Sequence, residues 1–139
     1  MYRGAELNLT PVFADDLHTA KRTVAIVNND YLQIRDFIQP KQGNTKFTWR
    51  MLTTATPTID DAKTFKLVKN GKTMYLTFNT TAAITLKTWS TAPATDYDLA
   101  NPGTVLVGFE CTLQTGEYTF LTNLTTEESR YKVCTQIIE

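Results

Sequence analysis

At 139 residues the chain is sized for one domain with its own core, over residues 1–139, and needs no staple to hold it. A hydrophobic fraction of 42%, a charged fraction of 20% and an aromatic fraction of 11% exclude a disordered segment. Lys and Arg number 14, Asp and Glu number 14, and no basic run exceeds Lys21-Arg22, so nucleic acid and anionic membrane are not expected partners.

The first residues, Met1-Tyr2-Arg3-Gly4-Ala5-Glu6, lack the apolar region of an export signal. No apolar stretch reaches membrane-spanning length, and the expectation is synthesis and retention in the cytosol. Strand-like alternation begins at residues 6–10. Residues 11–21 read as a loop with one helical turn near Asp15-Asp16-Leu17-His18, followed by strands at 22–27 and 31–38. Over 46–52, Phe47, Trp49 and Met51 alternate with Lys46, Thr48 and Arg50, the pattern of a half-buried strand. Thr58-Ile59-Asp60-Asp61 has a capping-box-like pattern and is read as non-strand.

Residues 65–78 form the clearest hairpin, because Asn70-Gly71 accepts the positive φ angles of a type I′ turn. Counting outward pairs Leu67 with Met74 and Phe65 with Leu76; with Phe78 these make a buried face, leaving Lys66, Val68, Tyr75 and Thr77 on the other. A strand at 82–91 precedes the longest loop, 92–103. A second hairpin is expected over 105–124 around Thr115-Gly116, with Leu113 opposite Tyr118 and Cys111 opposite Phe120. Its core stripe would be Val105, Val107, Phe109, Cys111 and Leu113. The last strand is placed at 130–138.

Thr supplies 26 residues and Ser only two. Thr suits a pleated surface, where its methyl packs and its hydroxyl meets water, and it disfavours long helices. Eight or nine short strands with such alternation read as an all-β fold: an antiparallel β-sandwich, immunoglobulin-like, with a small β-barrel as the alternative. The Asn-x-Thr triplets at Asn8, Asn79 and Asn123 are expected by chance in so Thr-rich a chain.

Catalytic patterns are missing from the sequence. The single His, His18, falls in a loop, and neither Ser90 nor Ser129 sits in a nucleophile-elbow context. Phosphate-binding, dinucleotide and zinc motifs are absent, so no cofactor and no metal are expected and the chain is read as a non-enzyme. Asp96, Asp98 and Asn101 lack the later Glu and the glycine of a calcium loop. Cys111 has inward parity and Cys134 the opposite parity on its strand, which predicts free thiols.

A stand-alone, near-neutral β-sandwich rich in Thr and carrying no export signal resembles small virion proteins of tailed bacteriophages: immunoglobulin-like tail, collar or decoration proteins. That resemblance implies a non-catalytic structural protein in multiple copies, a homo-oligomeric ring docked on other virion structural proteins, assembled in the host cytoplasm. The alternative is a carbohydrate-binding or adhesion module using the aromatic faces of Trp89 and Tyr97. On strand 82–91, Ile84 and Leu86 point inward and Thr85, Lys87 and Trp89 outward; Val68 and Tyr75 add outward apolar area. The expected contact surface is therefore Thr85, Lys87, Trp89, Val68, Tyr75 and Tyr97.

Overall fold

In the computed structural model, residues 2–93, 95 and 99–127 are described. They form ten strands: β1 Tyr2–Asn8, β2 Leu17–Val27, β3 Tyr31–Pro40, β4 Thr45–Thr53, β5 Thr56–Asp61, β6 Thr64–Lys69, β7 Lys72–Asn79, β8 Thr85–Ser90, β9 Val105–Leu113 and β10 Tyr118–Thr126. Seven pair in the order β1-β2-β3-β10-β7-β6-β5 and three in the order β4-β9-β8, every pairing antiparallel. The two sheets pack face to face, so the all-β sandwich expected from the sequence is the fold. The expected strand at 130–138, with Cys134, lies outside the described residues.

Inward side chains of both sheets interlock through aromatic rings. Phe109 of β9 lies 4.8 Å from Phe78, 5.5 Å from Phe120 and 5.8 Å from Phe47, centroid to centroid. Trp49, Phe65, Leu76, Val107 and Leu113 complete a core sealed from water. Edge-to-face geometry dominates these contacts, the arrangement that ring quadrupoles favour. A second buried set, including Tyr31, Gln33, Tyr75 and Asn123, sits on the opposite face of the seven-stranded sheet. There Gln33 Nε2 donates to Asn123 Oδ1 at 2.9 Å.

The β6–β7 hairpin has the expected register, Leu67 with Met74 and Phe65 with Leu76. Asn70 and Gly71 take φ of 52° and 74°, matching the right-handed twist of the flanking strands. A Cβ on Gly71 would meet nothing within 4 Å, so the cost of Gly71→Val is conformational alone. A loss of about 1 kcal/mol or more is expected, read as a lower urea midpoint; an unchanged midpoint would refute the turn. Asn28 and Asn29 use the same left-handed region at φ of 52° and 54° between β2 and β3, where Asn is tolerated.

Three expectations change. Residues 105–124 are not a hairpin: β9 pairs with β4 and β8, whereas β10 pairs with β3 and β7. The chain crosses between sheets at Thr115-Gly116, and Phe109 and Phe120 meet across the core instead of along a ladder. The inward stripe of β9 is nevertheless as expected, with Val107, Phe109, Cys111 and Leu113 buried. Residues 56–61 are an edge strand, β5, held by backbone pairing with β6. Pro57 is compatible with an edge. Residues 10–16 form turns, and Leu17 N donates to Phe13 O at 2.8 Å, but Leu17 and His18 already belong to β2.

Candidate functional site

Among the described residues, two places gather side chains of the kinds found at contact or ligand sites. The first is the outer face of the small sheet. Its register aligns Leu52, Leu106 and Trp89 across three strands, and in the next outward row Arg50, Gly108 and Lys87. Gly108 carries no side chain, and Arg50 reaches diagonally past it so that its guanidinium carbon stands 4.6 Å from the centroid of Trp89. That is cation–π distance. Lys87 Nζ pairs with Glu110 Oε2 at 2.8 Å. The hydrogen bond from the Lys87 ammonium, with its charge and those of Lys46 and Arg50, holds the Glu110 carboxyl below its usual range.

Among the expected contact residues, Thr85, Lys87 and Trp89 lie together on this face; Trp89 is half-buried beneath Arg50 and the other two are exposed. Val68 and Tyr75 do not join them. Their parity is opposite to the core, as expected, but they belong to the far face of the large sheet. Tyr75 is only 4% exposed, so it offers no contact surface; it belongs to the second buried set. Tyr97 lies outside the described residues. Arg50, Leu52 and Leu106 were missed as partners of Trp89, because only the β4-β9-β8 pairing makes them neighbours.

The second place is a groove of about 640 Å³ between the floor formed by β2 and β3 and the exposed edge of β4. The large sheet has seven strands and the small one three, and the groove lies where inner-face residues of β2 and β3 meet the edge strand β4. On the floor, Arg22 Nε donates to Asp36 Oδ1 at 2.6 Å and Nη2 to Oδ2 at 3.0 Å. The Asp36 side chain is 4% exposed and that of Arg22 35%. Asp36 therefore holds the guanidinium by Nε and one Nη2 hydrogen, which leaves Nη1 and the other Nη2 hydrogen outside the pair, and both residues line the groove. Phe13, 45% exposed, and the half-buried Phe47 line the walls.

The rim is tied in place. Lys41 N donates to Asp16 O at 3.0 Å, and Lys41 Nζ donates to Ala14 O, binding loop 10–16 to loop 41–44. Gln114 grips Asn44 twice, accepting from its backbone N–H at 3.2 Å and donating to its Oδ1 at 3.1 Å. No sequence motif announces this groove. Counting outward from the Asn28-Asn29-Asp30 turn, however, sets Arg22 against Asp36, as the β2–β3 register has them.

Burial raises the Cys111 thiol to about 11. At neutral pH it is a protonated, apolar filler, unlike a nucleophilic thiolate. Among the described residues no group of three or more His, Cys, Asp and Glu side chains is placed to hold a metal ion, and no helix is long and apolar enough to cross a membrane.

No protein-family model matches the chain, and no curated protein matches it. Among solved structures, the crystal structure of heparinase III superposes with a TM-score of 0.56 at 16% sequence identity. The match covers 81% of this chain and 18% of the heparinase III chain. This chain thus spans less than a fifth of that protein, and at such low identity the likeness is one of fold: an antiparallel β-sandwich.

Proposed function

We propose that this protein is a non-catalytic contact module that works in multiple copies, as a virion component of the tail or collar type, with the outer face of the small sheet as its contact surface. The observation that supports this most is the apolar row Leu52, Leu106 and Trp89, in register across all three strands. Leu52 is 51% exposed. A solvated sheet face has no need of such a row, whereas an aromatic anchor with a stacked Arg and a charged rim is the usual composition of an interface centre. Arg50, Lys87 and Glu110 supply both signs of charge at its border, which suits a second copy of the same chain.

Trp89→Glu is expected to abolish concentration-dependent self-association, and incorporation into particles, while far-UV circular dichroism and melting temperature stay near wild type. Sedimentation velocity over a wide concentration range provides the measurement. Association undiminished in the variant would remove this face from consideration. The groove favours a second reading, a carbohydrate-binding or adhesion module, because it joins an exposed aromatic ring to fixed polar groups in a preformed cleft of ligand size.

A further inference from the structure

We infer that the groove beside β4 is a subsite for an acidic sugar unit, with Arg22 as the group that reads its carboxylate. This rests on the carbohydrate-binding reading and narrows it to uronate-bearing saccharides. A guanidinium has five N–H donors. Asp36 takes one from Nε and one from Nη2, so Nη1 and the second Nη2 hydrogen form an outward fork of the spacing that a carboxylate accepts.

A buried carboxylate behind an arginine does two things. It compensates the charge that would otherwise be costly at a partly desolvated floor, and it prevents the side chain from swinging away, so little rotamer entropy remains to be lost on binding. Lys21 and Lys46 add two further cations to the groove lining, against the one further carboxylate there, Asp16. Phe13 presents a ring at its mouth, held there by the Lys41 contacts to Asp16 and Ala14. A sugar ring has an apolar face for such an aromatic and hydroxyls for Gln42 and Thr48, which also line the groove. An acidic peptide would satisfy the fork but would leave the ring platform and the hydroxyl partners without a role.

The test is titration of the protein with tetragalacturonate, and with its methyl ester, which keeps every sugar ring and removes the charge. Calorimetry or amide chemical shifts should give a Kd on the order of 0.1–1 mM for the acid, at least tenfold weaker binding for the ester, and shifts centred on residues 13, 22 and 46. Phe13→Ala should weaken both ligands. Arg22→Met with Asp36→Leu, which replaces the pair by apolar groups of similar volume, should bring the acid-to-ester ratio to about one. Arg22→Lys keeps a cation against Asp36 without the outward fork and should lose most of the preference, should the double variant fail to fold.

Equal binding of acid and ester would overturn the inference while leaving the carbohydrate reading standing. No binding of either would overturn both. Tighter binding of a tetraglutamate peptide would make this a peptide site and overturn it as well.

Discussion

Trp49→Ala should destabilise the protein by about 3–5 kcal/mol, the range for removing a large aromatic from a packed core. Trp49 is 3% exposed and stands between the two sheets, 5.1 Å from Phe78 and 6.4 Å from Phe109. Its removal takes ring contacts from both neighbours at once, and the void cannot close without moving β4 toward β7. Trp49 Nε1 is buried and has no hydrogen-bond partner among the described residues. An unmade hydrogen bond of this kind costs about 1–3 kcal/mol. Phe at position 49 escapes that cost, so Trp49→Phe should lose much less than Trp49→Ala. Urea denaturation of both variants gives the comparison, and a wild-type midpoint for the alanine variant would mean that β4 has its faces reversed.

Gly108→Ala should be nearly as damaging, at about 3 kcal/mol or more, the upper end of what overpacking costs. A Cβ there would stand 1.8 Å from the Trp49 carbonyl oxygen and 3.2 Å from the Arg50 Cα. Both obstacles are backbone of the paired strand β4, so no side-chain rotation relieves them. β9 would have to part from β4 at the middle of the small sheet, beneath the place where Arg50 crosses to Trp89. Thr112→Ala, at an exposed position of the same strand, should change stability by no more than about 0.5 kcal/mol. Thermal melts of the two variants measure the contrast. Equal melting temperatures would show that β9 and β4 are not so closely apposed.

The parts of this fold legible in the sequence are those set by local rules. Phe47, Trp49 and Met51 revealed the inward side of β4 because the residues alternating with them, Lys46, Thr48 and Arg50, are polar, and Asn70-Gly71 fixed the β6–β7 register because few dipeptides accept that turn. Residues 105–124 misled because inward alternation is identical whether two strands pair in a ladder or face each other across a core. Thr115-Gly116 serves either connection. β5 was hidden for a different reason: its one large apolar residue, Ile59, is 60% exposed, so backbone pairing holds it with almost no hydrophobic signature.

Of the proposed contact surface, Thr85, Lys87 and Trp89 could be read from parity on one strand. Tyr75 could not, since parity says which face a side chain takes and not whether that face is covered. Arg50 and Leu52 became neighbours of Trp89 only through strand order, a long-range property. The Arg22–Asp36 pair lay within reach of local reasoning, through the Asn28-Asn29 turn, but neither residue type draws notice without the groove above it.

The position of β10 between β3 and β7 has a consequence for how the chain reaches its native state. The β2–β3 and β6–β7 hairpins close locally and can form early, but each ends on a strand whose second edge stays open until residues 118–126 arrive. The Gln33–Asn123 bond spans 90 positions of sequence, and closures of that length place folding in the millisecond-to-second regime. During translation the two half-sheets are waiting templates with unpaired amides, the condition in which chains capture one another. Productive folding is therefore a race between insertion of a late central strand and the joining of open edges from different chains, a race that high expression at elevated temperature would tilt toward aggregation.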